Sequence, residues 1–435
     1  MTKPLPSTAQ EFAAWDWSQM EPYFAELDAQ SLGEATLDDW LAGWSRIAAL
    51  VLDAGERLYV ATTLDTTDKD AEACYQNYLE NVIEPYEVWS QRLKDKLLAS
   101  ELEPEGFAVP LRHMRAHAEI FREANLPLLT DEKKLSMDYD RILGAQTVEW
   151  EGEEKTISQL RPLYQHPDRA LREQVWRRAS ERQLQDRQAI NDLWTRFMAL
   201  RGRIARNADQ PDYRAYKWLE LGRFDYTPED CLRFHDMIEQ IVVPAAERIY
   251  ERRRQQLGVD RLRAWDLDVD PLGRDALRPF QEADVLVNGT SAIFHTIDPQ
   301  LGDYLDTMTR ENLLDLENRK GKAPGGYCTG FVVSGRPFIF MNAVGIHDDV
   351  QTMLHEAGHA FHVFEASALP YVPQKDETLP AEFAEVASMS MELFGGPYLA
   401  QPGGFYSEAD AARARVEHLE GIILFWPYMA VVDAF

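Results

Sequence analysis

The sequence is poor in cysteine and has no long apolar run. Its 435 residues include only Cys74, Cys231 and Cys328, and no CxxC pair occurs among them. This usage excludes a disulfide framework and a cysteine-built zinc knuckle, and it suits a reducing compartment. Because the N-terminus lacks a signal-type apolar stretch and no run of about 18 apolar residues occurs, we expect no membrane span. The sequence predicts a cytoplasmic protein.

Positive charge is also scarce. The 73 acidic residues outnumber the 45 Lys and Arg, which gives a formal net charge of −28 at pH 7. A field of that sign repels nucleic-acid backbones and anionic membranes. We therefore expect neither as a partner, and we interpret most of the acidic residues as a solvated surface.

Helical patterns dominate what is present. From Ser7 to about Leu126 the apolar residues recur at helical spacing, residues 145–157 form two short alternating segments around a glycine, and amphipathic helices resume after His166. These patterns predict a mainly α-helical protein that divides at the hairpin. The expected parts are an N-terminal helical lobe, residues 1–165, and a second lobe, residues 166–435, which we expect to be catalytic.

The segment between Gly321 and Asn342 has a different character, GKAPGGYCTGFVVSGRPFIFMN. It predicts a glycine-rich loop followed by a β-hairpin that turns at Ser334-Gly335. A phosphate-binding role for the loop is disfavoured because no GKS or GKT follows the glycines.

The helix that carries HEAGH, residues 355–359, follows this hairpin. Asp348 is the predicted N-cap, with Gln351 three residues on. One apolar stripe runs along the helix, formed by Val350, Leu354, Ala357, Phe361 and Phe364. The capped, amphipathic pattern favours a helix with one face buried and the histidines beside it.

His355 and His359 lie one helical turn apart and can direct both imidazoles to one metal ion. Glu356 is about 100° round the helix from His355, beside the ion. There it can take a proton from activated water and later pass it to a departing amine, which is the peptidase logic of HExxH. The alternative is a buried structural histidine pair. We interpret His362 as a packed histidine or one that contacts the ligands.

A catalytic zinc site needs a third protein ligand. The metzincin pattern is excluded because His362 and Glu365 occupy the positions of its glycine and third histidine, and Glu365 faces away from His359. A further helix is predicted from a capping Thr378 to Gly395-Gly396. One face of it carries three carboxylates, which form either a solvated acidic stripe or a ligand face: Glu382, Glu385 and Glu392.

Several motifs together resemble a known family. HEAGHAFH is followed by Glu385-Val386-Ala387-Ser388 and preceded by RKGKAPGGYC and the strand FIFMN, residues 338–342. This ordered set resembles the oligoendopeptidase F and thimet oligopeptidase family of zinc peptidases. The resemblance is clearest from about His166 onward.

The resemblance implies that His355, His359 and Glu385 bind one zinc ion per chain and that Glu356 is the general base and acid. It implies a two-lobed helical body around a deep channel that admits short unfolded peptides, with the small β-sheet beside the HExxH helix. Strand FIFMN would pair with the peptide backbone. The channel would also be lined by Gly325, Gly326 and Tyr327.

Residues 421–435, GIILFWPYMAVVDAF, are almost wholly apolar, and we expect a buried helix that is cut short. Members of the resembled family continue into a segment whose His and Tyr contact substrate. The resulting prediction is a zinc endopeptidase for short oligopeptides. The alternatives are a metal-containing peptide-binding protein without efficient hydrolysis and a zinc carboxypeptidase or dipeptidyl carboxypeptidase.

Overall fold

The structure is a computed structural model that describes residues 4–376 and 379–435. Within these ranges the α-helices are α1 Ala9–Ala13, α2 Trp17–Ala29, α3 Leu37–Leu64, α4 Lys69–Tyr78, α5 Glu84–Ala99, α6 Ala108–Ile120, α7 Leu126–Gly144, α8 Ile157–Leu160, α9 Arg169–Gln185, α10 Arg187–Asn207, α11 Tyr213–Glu220, α12 Pro228–Met237, α13 Val243–Leu257, α14 Ala283–Ile297, α15 Pro299–Arg310, α16 His347–Ala366, α17 Val372–Asp376, α18 Ala381–Gly395 and α19 Glu408–Ala434. The strands are β1 Thr147–Trp150, β2 Glu153–Thr156, β3 Leu314–Glu317, β4 Tyr327–Phe331 and β5 Arg336–Ala343. The prediction of a mainly helical protein is confirmed.

The predicted hairpin at residues 145–157 is present. Strands β1 and β2 pair antiparallel, with Thr147 opposite Thr156 and Trp150 opposite Glu153. Gly152 sits in the turn at φ +84°, a left-handed conformation that glycine adopts without steric cost.

The second sheet has the strand order β3-β5-β4. β4 and β5 form the predicted antiparallel hairpin, while β3 pairs with the other side of β5 in parallel. Strand FIFMN lies within β5, where Phe338, Ile339 and Phe340 pair with β4 on one side, and β3 pairs with the other side from Ile339 onward. The expectation that FIFMN pairs with a peptide backbone is therefore wrong. The cause is β3, a four-residue strand too short to stand out in the sequence.

This sheet lies between the N-terminal helices and α16. From β4, Thr329 donates a hydrogen bond to Glu56 of α3 at 2.5 Å. On the other face, a Cβ placed on Gly330 would lie 3.3 Å from Val363 of α16. β4 thus contacts the N-terminal part of the chain on one side and α16 on the other.

The predicted apolar stripe of α16 is buried, which confirms the prediction for that face of the helix. The stripe consists of Val350, Leu354, Ala357, Phe361 and Phe364. It packs against α14, α15 and β5 in one apolar cluster. Burial of this face fixes the rotation of α16 and leaves the histidine face beside the core.

The start of α16 differs from the prediction. Asp348 is not the N-cap, because the helix already begins at His347. The carboxylate of the next residue, Asp349, accepts the backbone N–H groups of the preceding turn at 2.8 to 2.9 Å, from Val344, Gly345 and Ile346. Gly345, at φ +86°, allows the chain to fold back over this carboxylate.

His347 makes the stability of this turn dependent on pH. Burial lowers the pKa of His347 to about 4, and Nδ1 lies 2.8 Å from the Tyr406 hydroxyl. An unfolded histidine titrates near 6.5, so the unfolded state binds more protons between pH 6.5 and 4. Stability from this group is present above pH 6.5, and about 3 kcal/mol is lost as pH falls to 4.

The check is urea unfolding of the wild type and of His347→Gln across this pH range. The variant has no imidazole to protonate, so its free energy of unfolding is expected to fall less steeply with acid. Parallel curves for the two proteins would contradict the prediction.

The C-terminal helix also differs from expectation. α19 continues through Pro427 to Ala434, but its last turns are exposed instead of buried. Aromatic contacts join one side of it to neighbouring helices: Trp426 lies 5.5 Å from Phe234 and Phe435 lies 5.9 Å from Trp194. Among the described residues no helix is long and apolar enough to cross a membrane.

Candidate metal centre

α16 places two histidines side by side. The ring centroids of His355 and His359 lie 5.0 Å apart, and both side chains are about one-fifth exposed. Because the apolar stripe of α16 is buried, both imidazoles are held next to the core and project toward α18. This is the pairing predicted from HEAGH.

α18 supplies a carboxylate to both histidines. Glu385 Oε2 lies 3.1 Å from His355 Nε2, and Glu385 Oε1 lies 3.6 Å from His359 Nε2. One donor atom from each of the three residues falls within 4.8 Å of the other two. Two imidazole nitrogens and one carboxylate oxygen form the ligand set typical of catalytic zinc, so these residues fit the metal. Ser388 orients the carboxylate by donating to Glu385 Oε2 at 3.2 Å.

Gly358, inside HEAGH, lets the two helices come together. A Cβ on this residue would lie 2.6 Å from the Cα of Ser388 and 3.1 Å from the Cγ of Met391. Only a residue without a side chain permits this approach of backbone to backbone. Sequence reasoning missed Gly358, although a glycine in the middle of a helix is a recognisable signal of close packing.

Glu356 lies beside the three donors and is buried, with 6% of the residue exposed. Its Oε2 has no hydrogen-bond partner among the described residues. Burial raises the pKa of Glu356 to about 7, with the charge of Glu385 adding to the effect and His355 opposing it. A carboxyl group with a pKa near neutrality is suited to both accepting and donating a proton.

The glycine loop approaches this carboxyl group. A Cβ on Gly326 would lie 3.5 Å from Glu356 Oε1, while Gly325 adopts φ +86°. The Asn342 side chain donates to the carbonyl oxygen of Gly325 at 2.8 Å and holds the loop on β5. Backbone without side chains is therefore brought next to the carboxyl group of Glu356.

Tyr327 has a different orientation from its glycine neighbours. Its hydroxyl lies 2.6 Å from Thr63 Oγ1 of α3, and its ring stacks on Phe340 at 4.8 Å. Burial raises the pKa of this phenol well above its usual value. The side chain thus links β4 to α3, and its place in a substrate channel stays a prediction.

The three carboxylates predicted on one face of α18 have different partners. Glu382 pairs with Arg223 at 2.6 Å and accepts from Tyr226. Glu385 faces both histidines, whereas Glu392 lies 2.8 Å from the other nitrogen of His355, Nδ1. Only Glu385 belongs to the cluster of donors around the candidate metal position. The predicted cap of this helix, Thr378, lies outside the described residues.

The remaining polar side chains of α16 lie outside the donor cluster. His362 is half-buried, and burial lowers its pKa. Glu365 accepts a hydrogen bond from Tyr304 at 2.7 Å, on the other side of the helix. Both positions agree with the sequence interpretation that neither residue is a metal ligand.

A second group of possible donors lies on α14 and α15. His295, Asp303 and Asp306 have atoms within 4.8 Å of one another, but both aspartates are exposed. His295 Nε2 and Asp306 Oδ2 already form a hydrogen-bonded pair at 2.9 Å. A hydrogen-bonded pair at the surface accounts for the proximity of His295 and Asp306.

Comparison with known proteins places the chain in a family. The sequence model of peptidase family M3 matches residues 163–433, which is more than half of the chain. The chain belongs to peptidase family M3. This confirms the resemblance to oligoendopeptidase F that the sequence motifs indicate.

Individual relatives agree with this assignment. Oligopeptidase PepF of Bacillus subtilis (strain 168) is 28% identical over 164 residues, 36% of this chain and 23% of that protein. Group B oligopeptidase PepB of Streptococcus agalactiae serotype III (strain NEM316) is 21% identical over 369 residues, 77% of this chain and 59% of that protein. The chain therefore spans less than two thirds of the length of these relatives.

A solved structure extends the likeness to the whole fold. A protein described as an oligoendopeptidase F superposes with a TM-score of 0.90 at 26% sequence identity, covering 98% of this chain and 76% of that one. The helical architecture and the small sheets of this M3 chain are thus those of a known peptidase fold.

Proposed function

We propose that this chain is a zinc-dependent endopeptidase that hydrolyses short, unfolded peptides. The observation that carries the proposal is the convergence of His355, His359 and Glu385, with the buried carboxyl group of Glu356 beside them. A zinc ion held by these three side chains would polarise the peptide carbonyl and lower the pKa of nearby water.

Glu356 is the proton carrier in this proposal. Its carboxylate takes a proton from water as the water oxygen attacks the carbonyl carbon, and it delivers that proton to the amide nitrogen as the C–N bond breaks. The products are a carboxylic acid and an amine, and transfer of the acid proton to the amine leaves a carboxylate and an ammonium group. The pKa of about 7 supports both steps, because the group can change protonation state near neutral pH.

β4 is the strand we propose for binding the peptide backbone. One side of β4 pairs with β5, and no strand among the described residues pairs with its other side. It also packs on α16 near the glycine loop, so an extended peptide added to this edge would run past Glu356. This assignment replaces FIFMN, which lies inside the sheet.

Short peptides are proposed as substrates because the relatives are named oligopeptidases. We further propose that they bind in a channel between two helical lobes, with Gly325, Gly326 and Tyr327 in its wall. A cytoplasmic location is supported by the three cysteines, which are all free thiols.

The test combines metal analysis with peptide cleavage by the homogeneous 435-residue chain. We expect one zinc per chain by mass spectrometry and turnover of a quenched-fluorescent peptide. Cleavage products mapped on a peptide library should come from internal bonds. Exclusive release of C-terminal residues or dipeptides would instead indicate a carboxypeptidase, and peptide binding without turnover would indicate a binding protein.

Two histidine variants on the same helix give a matched comparison. His359→Ala removes one of three donors and should reduce zinc content to background under dialysis. His362→Ala removes an imidazole outside the donor cluster and should keep one zinc per chain. Equal zinc content in the two variants would contradict the ligand assignment.

A further inference from the structure

We propose that Glu392 and His418, which are not metal ligands themselves, position the metal centre by holding His355 through its Nδ1 atom. The chain of contacts runs from α19 through α18 to α16. This inference rests on the proposed function because it concerns the same zinc site, and it adds two positioning residues to the three ligands.

The contacts form a continuous bridge. Glu392 uses one oxygen for each histidine: Oε1 lies 2.8 Å from His355 Nδ1, and Oε2 lies 2.9 Å from His418 Nε2. The side chains of Glu392 and His418 are 14% and 11% exposed, so water competes little for these hydrogen bonds. With both oxygens engaged, the carboxylate can rotate only by breaking a contact.

The bridge selects the form of His355 that a metal requires. An ionised carboxylate only accepts hydrogen bonds, so Glu392 fixes the hydrogen on Nδ1 of His355. The lone pair of Nε2 is then directed toward Glu385 Oε2, 3.1 Å away, where the candidate metal position lies. A carboxylate on the outer nitrogen also makes the imidazole a stronger donor.

The spacing on α18 explains how one helix serves both nitrogens of His355. Glu385 and Glu392 are about two turns apart and therefore share a face. Glu385 meets Nε2 of His355 and Glu392 meets Nδ1, so His355 lies between the two carboxylates. His418 of α19 then fixes the position of the Glu392 carboxylate, which is the more buried of the two.

The experiment measures zinc affinity of the full chain by competition with a chromophoric chelator. Glu392→Gln, which keeps size but loses charge, should weaken zinc binding roughly 10- to 100-fold. His418→Leu should weaken it about tenfold, whereas His418→Gln, whose amide can still donate to Glu392, should restore most of the affinity. Glu420→Gln is the control, because Glu420 on the same helix pairs with Arg252 instead.

A merely structural role would lower the melting temperature of the metal-free variants without changing zinc affinity. Wild-type affinity in Glu392→Gln and His418→Leu would overturn the proposal, and so would equal losses in His418→Gln and His418→Leu. If His418→Leu does not fold, Glu392→Gln decides alone. Failure of the wild type itself to bind zinc would refute the proposed function, whereas wild-type binding with unaffected variants would refute only this inference.

Discussion

Glu356→Gln is expected to keep one zinc per chain and to hydrolyse peptides on the order of 10²–10⁴-fold more slowly than the wild type. The amide preserves the size of the side chain but cannot accept a proton from water. None of the donor atoms around the candidate metal position comes from Glu356, so metal content should not change. Turnover of a quenched-fluorescent peptide and zinc content by mass spectrometry, on the same preparation, test both parts.

Glu365→Gln is the matched control for this variant. The residue is a glutamate on the same helix, but it bonds Tyr304 on a different side. Its turnover should stay close to wild type. Undiminished hydrolysis in Glu356→Gln would remove Glu356 as the proton carrier, and loss of zinc in that variant would show that the carboxylate contributes to the ligand set.

A feature of the site could be predicted from the sequence when it is determined by residues within one segment. The HEAGH helix and its buried stripe follow from spacing within one segment, and both are confirmed. The first residue of α16 does not follow from this spacing, because it depends on the Asp349 carboxylate, which accepts hydrogen bonds from the backbone of the preceding turn. Likewise, the β4–β5 hairpin is a local pattern, whereas the position of β5 inside the sheet depends on β3, which is distant in sequence.

The carboxylates of α18 illustrate the same limit. Helical spacing puts Glu382, Glu385 and Glu392 on one face but cannot say which of them meets a histidine. That depends on where α18 lies against α16, and therefore on partners such as Arg223, which draws Glu382 elsewhere. Family resemblance singled out Glu385 from the sequence. No signal singled out His418, because its role arises only when α19 packs beside α18.

For the apolar end of α19, composition leads to a wrong prediction. Its composition predicts burial, yet Tyr428 is 65% exposed and Val431 is 69% exposed. The hydrophobicity of a segment indicates how strongly burial would stabilise it. It does not show whether the described residues supply a neighbour that buries it.

Gly358→Ala is expected to weaken zinc binding by about tenfold or more while the helices persist. A methyl group at this position meets the Cα of Ser388 at 2.6 Å, and backbone cannot rotate away as a side chain can. Overpacking of this kind typically costs about 1–3 kcal/mol, and about 1.4 kcal/mol corresponds to a tenfold change in affinity. The strain is relieved by moving α18 outward, and that movement carries Glu385 away from His355 and His359.

Chelator competition measures the zinc affinity, and circular dichroism checks the helix content. Gly421→Ala is the control: this glycine lies within α19, and a Cβ there meets nothing within 4 Å. Alanine at such a site should leave zinc affinity unchanged and stabilise the helix by roughly 0.5–1 kcal/mol. If Gly358→Ala binds zinc as tightly as the wild type, α18 does not need the close contact at Gly358 to present Glu385 to the histidines.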